Sequence, residues 1–411
     1  SQQNSTGSEN TSVGVETLQA NTSGTSNTAI GFRSLEANTS ADKSTAMGDS
    51  TLRANTTGDE NTAVGFSALT ANTTGTQNTS VGALALDACT TGSFITALGY
   101  KALSSDATPE ESCAVGYNAL ANQSSGRNNA FGFKALQDLS SGSGNTATGG
   151  ECAENVTTGD GNTAMGNIAL RACTSGSLNT SIGQRSLLVA TTGYQNTAVG
   201  YNALDATTTG FQNTAIGLNA GTSHTTGNGN IFVGFEAGED MTTGSTNTIV
   251  GKQAAKNGTT GSNNTCLGYL AGHSNSPFTL TSQSNKVVIG DENVDAAYIQ
   301  VDWTIASDAR DKTEVENILV GLDLVNDLRP VSFKYTDNRE NNNPVGKTKY
   351  GFLAQEVLAL EGDKPVIADN EQEDKLKITN ANLTAVLVKA VQELSTTVDE
   401  LKAEIQTLKG E

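Results

Sequence analysis

The chain has 411 residues, of which 44 are glycine, 16% are charged and only 5% are aromatic. The large side chains are too few for one thick globular core. The buried residues must therefore form a thin core that is repeated along the chain. The formal net charge of −19 excludes a general affinity for nucleic acid or for an anionic membrane surface, because both require a positively charged protein face. The N-terminal residues have neither a basic start nor an apolar run, and no segment approaches ~18 consecutive apolar residues, so we expect neither a signal peptide nor membrane insertion.

Glycine marks a repeat that begins near the N-terminus and continues to about residue 275. It recurs at steps of 17 residues, with one step of 16 between Gly116 and Gly132. A typical copy, such as the one that begins at Asn61, carries an Asn-Thr-Ala-Val-Gly run and then a second short segment that ends in Thr-Thr-Gly. Such a short unit has no room for two helices and a turn, but it suits one coil of a β-solenoid or β-roll. Stacking the copies at ~4.8 Å predicts a shaft on the order of 75 Å long.

The two faces of the short strand carry side chains of different size. Directly before the glycine lie large apolar residues such as Val13, Ile30 and Val64, and one place earlier lie small residues such as Ala29 and Ala63. Successive side chains of a strand point to opposite faces, and neither face is charged, so both faces are expected to be buried. We predict that the large residues fill the coil and that the small residues pack against a neighbouring chain.

A recurrent asparagine precedes the strand in most copies. Stacked in register, these side chains would hydrogen-bond from coil to coil. The alternative is a simple turn role, since asparagine is also a common turn residue. The recurrent residues are Asn10, Asn27, Asn61, Asn78, Asn145, Asn162, Asn179, Asn196 and Asn213.

The cysteines and histidines indicate neither a disulfide framework nor a metal site. The number of cysteines is odd and no CxxC spacing occurs, so we interpret them as small buried hydrophobes. Two histidines, His224 and His273, leave little for histidine-based catalysis. We therefore expect no cofactor and no metal. The cysteines are Cys89, Cys113, Cys152, Cys173 and Cys266.

Composition changes after about residue 285, where charged side chains become frequent. Alternating apolar residues predict strands at 286–290 and 297–303, which would close the shaft, and a helical stretch is predicted to reach Asp327. The predicted fold is mainly β. It consists of a trimeric repeat shaft over residues 1–275, a β-rich neck over 276–306 and a small α+β domain over 307–411, which ends in a coiled-coil helix over 383–409.

The C-terminal segment carries a heptad pattern. Its apolar residues follow one another at alternating steps of four and three, which is typical of a coiled-coil seam. β-Branched residues at one seam position with leucine at the other favour two parallel strands in isolated peptides, so the seam alone does not specify a trimer. The seam residues are Leu387, Val391, Leu394, Val398, Leu401, Ile405 and Leu408.

Three motifs precede this helix. They are Ser-Asp-Ala-Arg-Asp-Lys at 307–312, Leu-Arg-Pro-Val-Ser-Phe-Lys-Tyr at 328–335 and Gly-Phe-Leu-Ala-Gln-Glu-Val at 351–357. In this order they resemble the C-terminal intramolecular chaperone domain of endosialidase-type tailspikes and many phage tail fibres. The resemblance implies a domain that trimerises, guides folding of the β-rich part before it, and then cuts itself off next to the motif serine.

The same resemblance implies a catalytic pair. Ser307 would be the nucleophile and Lys312 its general base, with Asp308 and Arg310 as supporting charges. A lysine amine can accept the serine proton only if burial or neighbouring cations favour its neutral form, and a trimer interface can supply that burial. The structural alternative is a helix cap by Ser307 or Asp308. Any enzymatic activity would be limited to single-turnover autoproteolysis.

These features predict a structural fibre subunit of a phage or phage-like particle, located on the surface of the virion or extracellular particle. Its expected partners are sister chains in a homotrimer, a host surface receptor such as a glycan, and other particle proteins at the N-terminal end. The repeats are also similar in style to the head repeats of trimeric autotransporter adhesins, so a bacterial surface adhesin is one alternative. A polysaccharide-degrading tailspike, of which this chain is the C-terminal part, is another; the acidic residues of the shaft occur at scattered positions rather than as a recurring pair.

Overall fold

The computed structural model describes residues 5–109, 111–294, 297–298, 300, 307–336, 342–363 and 365–410. It divides into two compact units, Ser1–Asp291 and Glu292–Glu411. Each unit is described by itself. Among the helices of the described residues, none is both long enough and apolar enough to cross a bilayer.

The first unit is a parallel β-solenoid, as the repeat predicts. Each copy contributes one three-residue strand that pairs with the strands of the preceding and following copies, so that Thr11 lies opposite Thr28 and Thr163 opposite Thr180. The strands are β1 Thr11–Val13, β2 Thr28–Ile30, β3 Thr45–Met47, β4 Thr62–Val64, β5 Thr79–Val81, β6 Thr96–Leu98, β7 Cys113–Val115, β8 Asn129–Phe131, β9 Thr146–Thr148, β10 Thr163–Met165, β11 Thr180–Ile182, β12 Thr197–Val199, β13 Thr214–Ile216, β14 Ile231–Val233, β15 Thr248–Val250, β16 Thr265–Leu267 and β17 Val287–Ile289.

The predicted orientation of the strand faces is wrong. The small central residue of the strand, such as Ala97 or Ala198, points into the coil and is fully buried, whereas the large residue before the glycine, such as Leu98 or Met165, is exposed. The interior is filled instead by a leucine four places after the glycine. Burying a leucine contributes roughly 1.5–3 kcal/mol. The leucines are Leu18, Leu35, Leu52, Leu69, Leu86, Leu103, Leu120, Leu136, Leu170, Leu187 and Leu204.

The physical reason for this orientation is the space inside a thin coil. Each interior level has to hold both a strand residue and the leucine of the opposite segment, so the strand residue must be small. Where glycine replaces the leucine, at Gly221 and Gly238, the strand between them carries Phe232 instead of alanine. A Cβ at Gly221 would lie 2.7 Å from the Phe232 ring and one at Gly238 would lie 2.5 Å from it, so the phenylalanine fills the space that two leucines leave.

The asparagine ladder is confirmed, and the turn role is confirmed with it. Asn179 donates from Nδ2 to the Asn162 side-chain oxygen at 3.1 Å and to the Gly193 carbonyl at 2.9 Å. Its own side-chain oxygen accepts from the backbone and side-chain nitrogens of Asn196 at 3.0 and 3.2 Å. The ladder asparagines from Asn27 onward are buried and hydrogen-bonded, so where asparagine is present it joins successive coils and also holds the turn ahead of the strand.

The cysteines are free, and all except the partly buried Cys113 are buried. Burial raises the pKa of the thiols of Cys89 and Cys173 to about 11 and that of Cys152 to about 12. The interpretation of the cysteines as small hydrophobes is therefore confirmed, since a protonated buried thiol is a poor nucleophile.

A buried histidine gives one coil a dependence on pH. The His224 ring is fully buried, its Nε2 lies 2.9 Å from the Gly227 carbonyl, and burial lowers its pKa below 6.5. The unfolded chain takes up the proton first as pH falls, so the stability contributed by the neutral ring is lost below about pH 6.5, at up to about 1.4 kcal/mol per pH unit. His224→Met introduces the residue that the next copy carries, Met241.

We expect denaturant unfolding measured by circular dichroism at pH 7 and pH 5 to show a smaller loss of stability for His224→Met than for the unchanged chain. Equal losses in the two proteins would contradict this role of the ring.

The second unit is a small α+β fold. A 3₁₀ turn at Ala309–Asp311 precedes a core formed by Leu328, Val357, Ile367, Leu383 and Val386. Its elements are α1 Leu322–Asp327, β18 Val331–Thr336, β19 Pro344–Gly351, α2 Ala354–Glu361, β20 Ala368–Asp369, β21 Lys377–Ile378 and α3 Asn380–Leu408. Strands β18 and β19 form an antiparallel pair, and so do β20 and β21.

Two predictions about the region before this core need qualification. The helical stretch predicted up to Asp327 is mostly wrong, because residues 313–320 form neither helix nor strand and the α-helix begins only at Leu322. Of the two predicted neck strands, the first is present as β17 Val287–Ile289. The second, at 297–303, lies largely outside the described residues.

Candidate functional site

Ser307 and Lys312 lie together at the start of the second unit. The 3₁₀ turn at Ala309–Asp311 brings the two ends of the motif into contact, so that the Lys312 ammonium donates to the Ser307 hydroxyl oxygen across 2.6 Å. Both residues are exposed. The residue before Ser307 lies outside the described part of the chain, as do 301–305. The motif therefore forms the serine–lysine contact that its chemistry requires, within a single chain.

Asp308 and Arg310 fix the shape of this turn. The Asp308 carboxylate accepts from the Arg310 backbone nitrogen at 2.9 Å, which caps the 3₁₀ turn, and it pairs with the Arg310 guanidinium at 2.6 Å. The guanidinium lowers the pKa of Asp308. Of the two capping alternatives, the one at Asp308 is present, and it leaves the Ser307 hydroxyl free to meet Lys312. Asp308 and Arg310 contact each other, so their role is to position the turn.

The arrangement has the groups needed for attack by serine on a neighbouring peptide bond. Lys312 could take the hydroxyl proton and release it to the leaving amine, and water would then hydrolyse the ester. A neutral amine is required for the first step, and it is favoured by burial. In the single chain both groups face solvent, so the pair gains burial only if another surface covers it.

An ion pair joins the second and third motifs. The sequence alone did not predict this pair. Arg329, which follows Leu328 in the second motif, forms a two-pronged contact with the Glu356 carboxylate of the third, with 3.1 Å between Nε and Oε2. The arginine lowers the pKa of Glu356. The signal available in the sequence was one basic residue in one motif and one acidic residue in the other. The pair places helix α2 against the segment that leads into β18.

Two further carboxylates hold the helices of this unit. The Glu361 side chain accepts from the backbone nitrogens of Val366, Ile367 and Ala368 at 2.9, 2.7 and 2.7 Å, which ties the end of α2 to strand β20. The Glu393 carboxylate accepts from the Leu322 backbone nitrogen at 2.7 Å and so caps α1 from α3. These bonds satisfy backbone donors that a helix or strand end would otherwise leave unpaired.

Helix α3 divides its apolar residues between two surfaces. Leu383, Val386 and Ala390 are buried in the unit, and they lie toward the N-terminal end of the helix. The heptad seam from Leu387 to Leu408 is exposed along its whole length. An exposed seam of this period is a surface for another helix.

Among the residues described, no group of three or more His, Cys, Asp or Glu side chains is placed to hold a metal ion.

Comparison with known proteins supports the resemblance in the second unit. Residues 307–363 match the family model described as chaperone of endosialidase. This range contains all three motifs, the serine–lysine contact and the Arg329–Glu356 pair. No curated protein and no solved structure matches the chain. The chain therefore combines a β-solenoid shaft with a segment similar to the endosialidase chaperone family, an arrangement that suggests a protein of the fibre or tailspike type.

Proposed function

We propose that this chain is a structural fibre subunit of a phage or phage-like particle, and that it attaches the particle to a host surface receptor such as a glycan. The observation that carries the proposal is the order of the two units: a long repeat shaft is followed by a domain whose family is described as an endosialidase chaperone. The shaft supplies length, and its N-terminal end would join other particle proteins. The location would be the surface of the virion or extracellular particle.

The C-terminal unit would assemble the fibre as a homotrimer. Its α3 seam is exposed in the single chain. A seam of seven apolar residues on one helix face normally packs against another helix, which removes it from water. A domain that holds three chains together would raise their local concentration, and so promote their association and guide folding of the β-rich part before it.

The chaperone unit would then detach by a single turnover. Ser307 attacks the carbonyl carbon of the peptide bond next to it, Lys312 accepts the hydroxyl proton and delivers it to the leaving amine, and water hydrolyses the resulting ester. Assembly is the expected trigger, because a sister chain that covers the Ser307–Lys312 contact would favour the neutral amine.

Mass spectrometry of the expressed chain tests both parts of the proposal. We expect the unchanged chain to yield two fragments that meet beside Ser307, and Ser307→Ala to yield one intact chain with a native mass of three chains. Ser332→Ala, which changes an exposed serine on β18, is the matched control and should still cleave. An intact product from the unchanged chain contradicts autoproteolysis, and a native mass of one chain for Ser307→Ala contradicts the trimer.

A further inference from the structure

Two columns of apolar side chains run along the outside of the solenoid. They lie on either side of the repeated glycine, one residue before it and one residue after it. The exposed fractions of these side chains range from 38% at Leu267 to 67% at Val15. We call the two columns together the apolar stripe. Its exposed large members are Val13, Val15, Phe32, Met47, Phe66, Leu98, Tyr100, Tyr117, Phe131, Phe133, Met165, Tyr201, Ile216, Leu218, Phe235, Leu267, Tyr269 and Ile289.

The aromatic members stack on one another from coil to coil. The rings of Tyr100 and Tyr117 are stacked with their centroids 5.3 Å apart, and the rings of Tyr117 and Phe133 with theirs 5.4 Å apart. Their flat faces are thus directed along the shaft toward one another, and ring edges face outward. A surface of ring edges and aliphatic groups suits packing against another apolar surface better than stacking on a flat ligand.

The area of the stripe is larger than a single chain normally leaves exposed. Full side-chain areas on the order of 150–250 Å² and the exposed fractions above give a stripe on the order of 1,500 Å². The largest apolar patch of a typical monomer is roughly 300–600 Å². A stable interface needs roughly 800 Å² from each partner. The apolar area of the stripe is therefore larger than that of the largest patch on a typical monomer, and it is large enough for a stable interface.

Charge is nearly excluded from the stripe but not from the positions beside it. One place further along the chain, the repeat carries charged residues such as Glu16, Arg33 and Lys101. Within the stripe the charged residues are Asp49, Lys252 and, at its last level, the buried Asp291. Because the chain has a net charge of −19, two copies repel each other over most of their surface. Along the rest of the stripe, away from the levels of Asp49, Lys252 and Asp291, they can meet without bringing like charges together.

We propose that the apolar stripe is the surface along which sister copies of this chain pack side by side, parallel and in register. A second copy has the same rise per coil, so its apolar residues meet those of the first at every level except that of Thr148 and Gly150, and a partner that lacks this repeat cannot match them in this way. The inference rests on the homotrimer proposed above. It also relocates the contact between shafts, since the Ala/Ser positions predicted for that contact are sealed inside their own coil.

Nitroxide labels on the full chain test this packing. Met47→Cys, Met165→Cys and Leu267→Cys place single labels on the stripe at three heights, and Leu178→Cys places one at an apolar position that is 58% exposed but lies off the stripe. All are made with Ser307→Ala, to keep the chain intact, and with Cys113→Thr, the residue that most other copies carry. The remaining cysteines are buried.

We expect short interchain distances at all three stripe positions and a longer one at Leu178→Cys, and we expect each signal to vanish when labelled chains are diluted with unlabelled ones. A trimeric native mass with long distances at all three stripe positions overturns the stripe as the interface but leaves the homotrimer standing. Short distances at Met165→Cys alone would indicate antiparallel packing and overturn the parallel register. A native mass of one chain would overturn the homotrimer itself.

Discussion

Gly200→Ala is expected to destabilise the shaft by about 3 kcal/mol or more. Gly200 has a φ of +138°, where an L-residue is strained, and a Cβ there would lie 2.4 Å from the Gly217 carbonyl oxygen of the next coil. Backbone strain alone costs about 1–3 kcal/mol, and the clash with a carbonyl that is itself held in the stack adds to it. In a repeat array each coil depends on its neighbours, so one distorted level weakens the stack on both sides. Denaturant unfolding followed by circular dichroism measures the loss.

A second glycine supplies the matched control. Gly144 also has a positive φ, +73°, but a Cβ there would meet nothing closer than 3.8 Å. The equivalent position of a later copy is occupied by Asn263 with a φ of +55°. Gly144→Asn should therefore cost at most about 1 kcal/mol. If both substitutions cost the same, the close approach of glycines between coils is not what the shaft requires.

Asn196→Asp is expected to cost roughly 3–5 kcal/mol at neutral pH. The Asn196 amide nitrogen donates to the Asn179 side-chain oxygen at 3.2 Å and to the Gly210 carbonyl at 2.9 Å. An aspartate has nearly the same shape, but it presents a second oxygen to these two acceptors and buries a charge. Because a buried carboxylate has a raised pKa, the penalty is full at neutral pH and shrinks as the pH falls and the carboxyl group becomes protonated.

Urea unfolding at pH 7 and pH 4 measures this effect, with Asn263→Asp as the control. The Asn263 side chain is exposed, lies off the stripe and donates one hydrogen bond, to the Asn285 side-chain oxygen at 2.7 Å. Its substitution should change stability by no more than about 0.5 kcal/mol. An Asn196→Asp protein that is as stable as the unchanged chain at pH 7 would show that the buried ladder contributes little.

Periodicity predicted the solenoid because spacing alone constrains which residues stack. The same spacing did not show which strand face is interior, since both candidate faces are uncharged and a shift of one residue exchanges them. Val13 is larger and more apolar than Ser12, so side-chain size alone favours Val13 for the core. The deciding feature was the leucine at Leu18 and its equivalents, which occupies the interior from the opposite side and leaves room there for a small strand residue.

Of the contacts in the candidate site, one was predicted from the sequence and another was not. The resemblance of the motif at 307–312 to the chaperone family implied that Ser307 and Lys312 act as a pair, and the structure places their side chains in contact. The pairing of Arg329 with Glu356 joins residues that are 27 positions apart, and nothing local indicates it. Long-range ion pairs depend on how helices and strands pack, which periodicity and composition do not encode.

The strands of the shaft remain in register although the spacing between them varies. Cys113 lies opposite Asn129 after a step of 16 residues, and Thr265 lies opposite Val287 after a step of 22. The extra or missing residues lie between the strands, and the strand column continues although glycine replaces the leucine in some coils and Ser44, Ile95 and Ser112 replace the asparagine in others. Whole coils can therefore be added or removed while the strands keep their register, which makes the length of the shaft adjustable in steps of one coil.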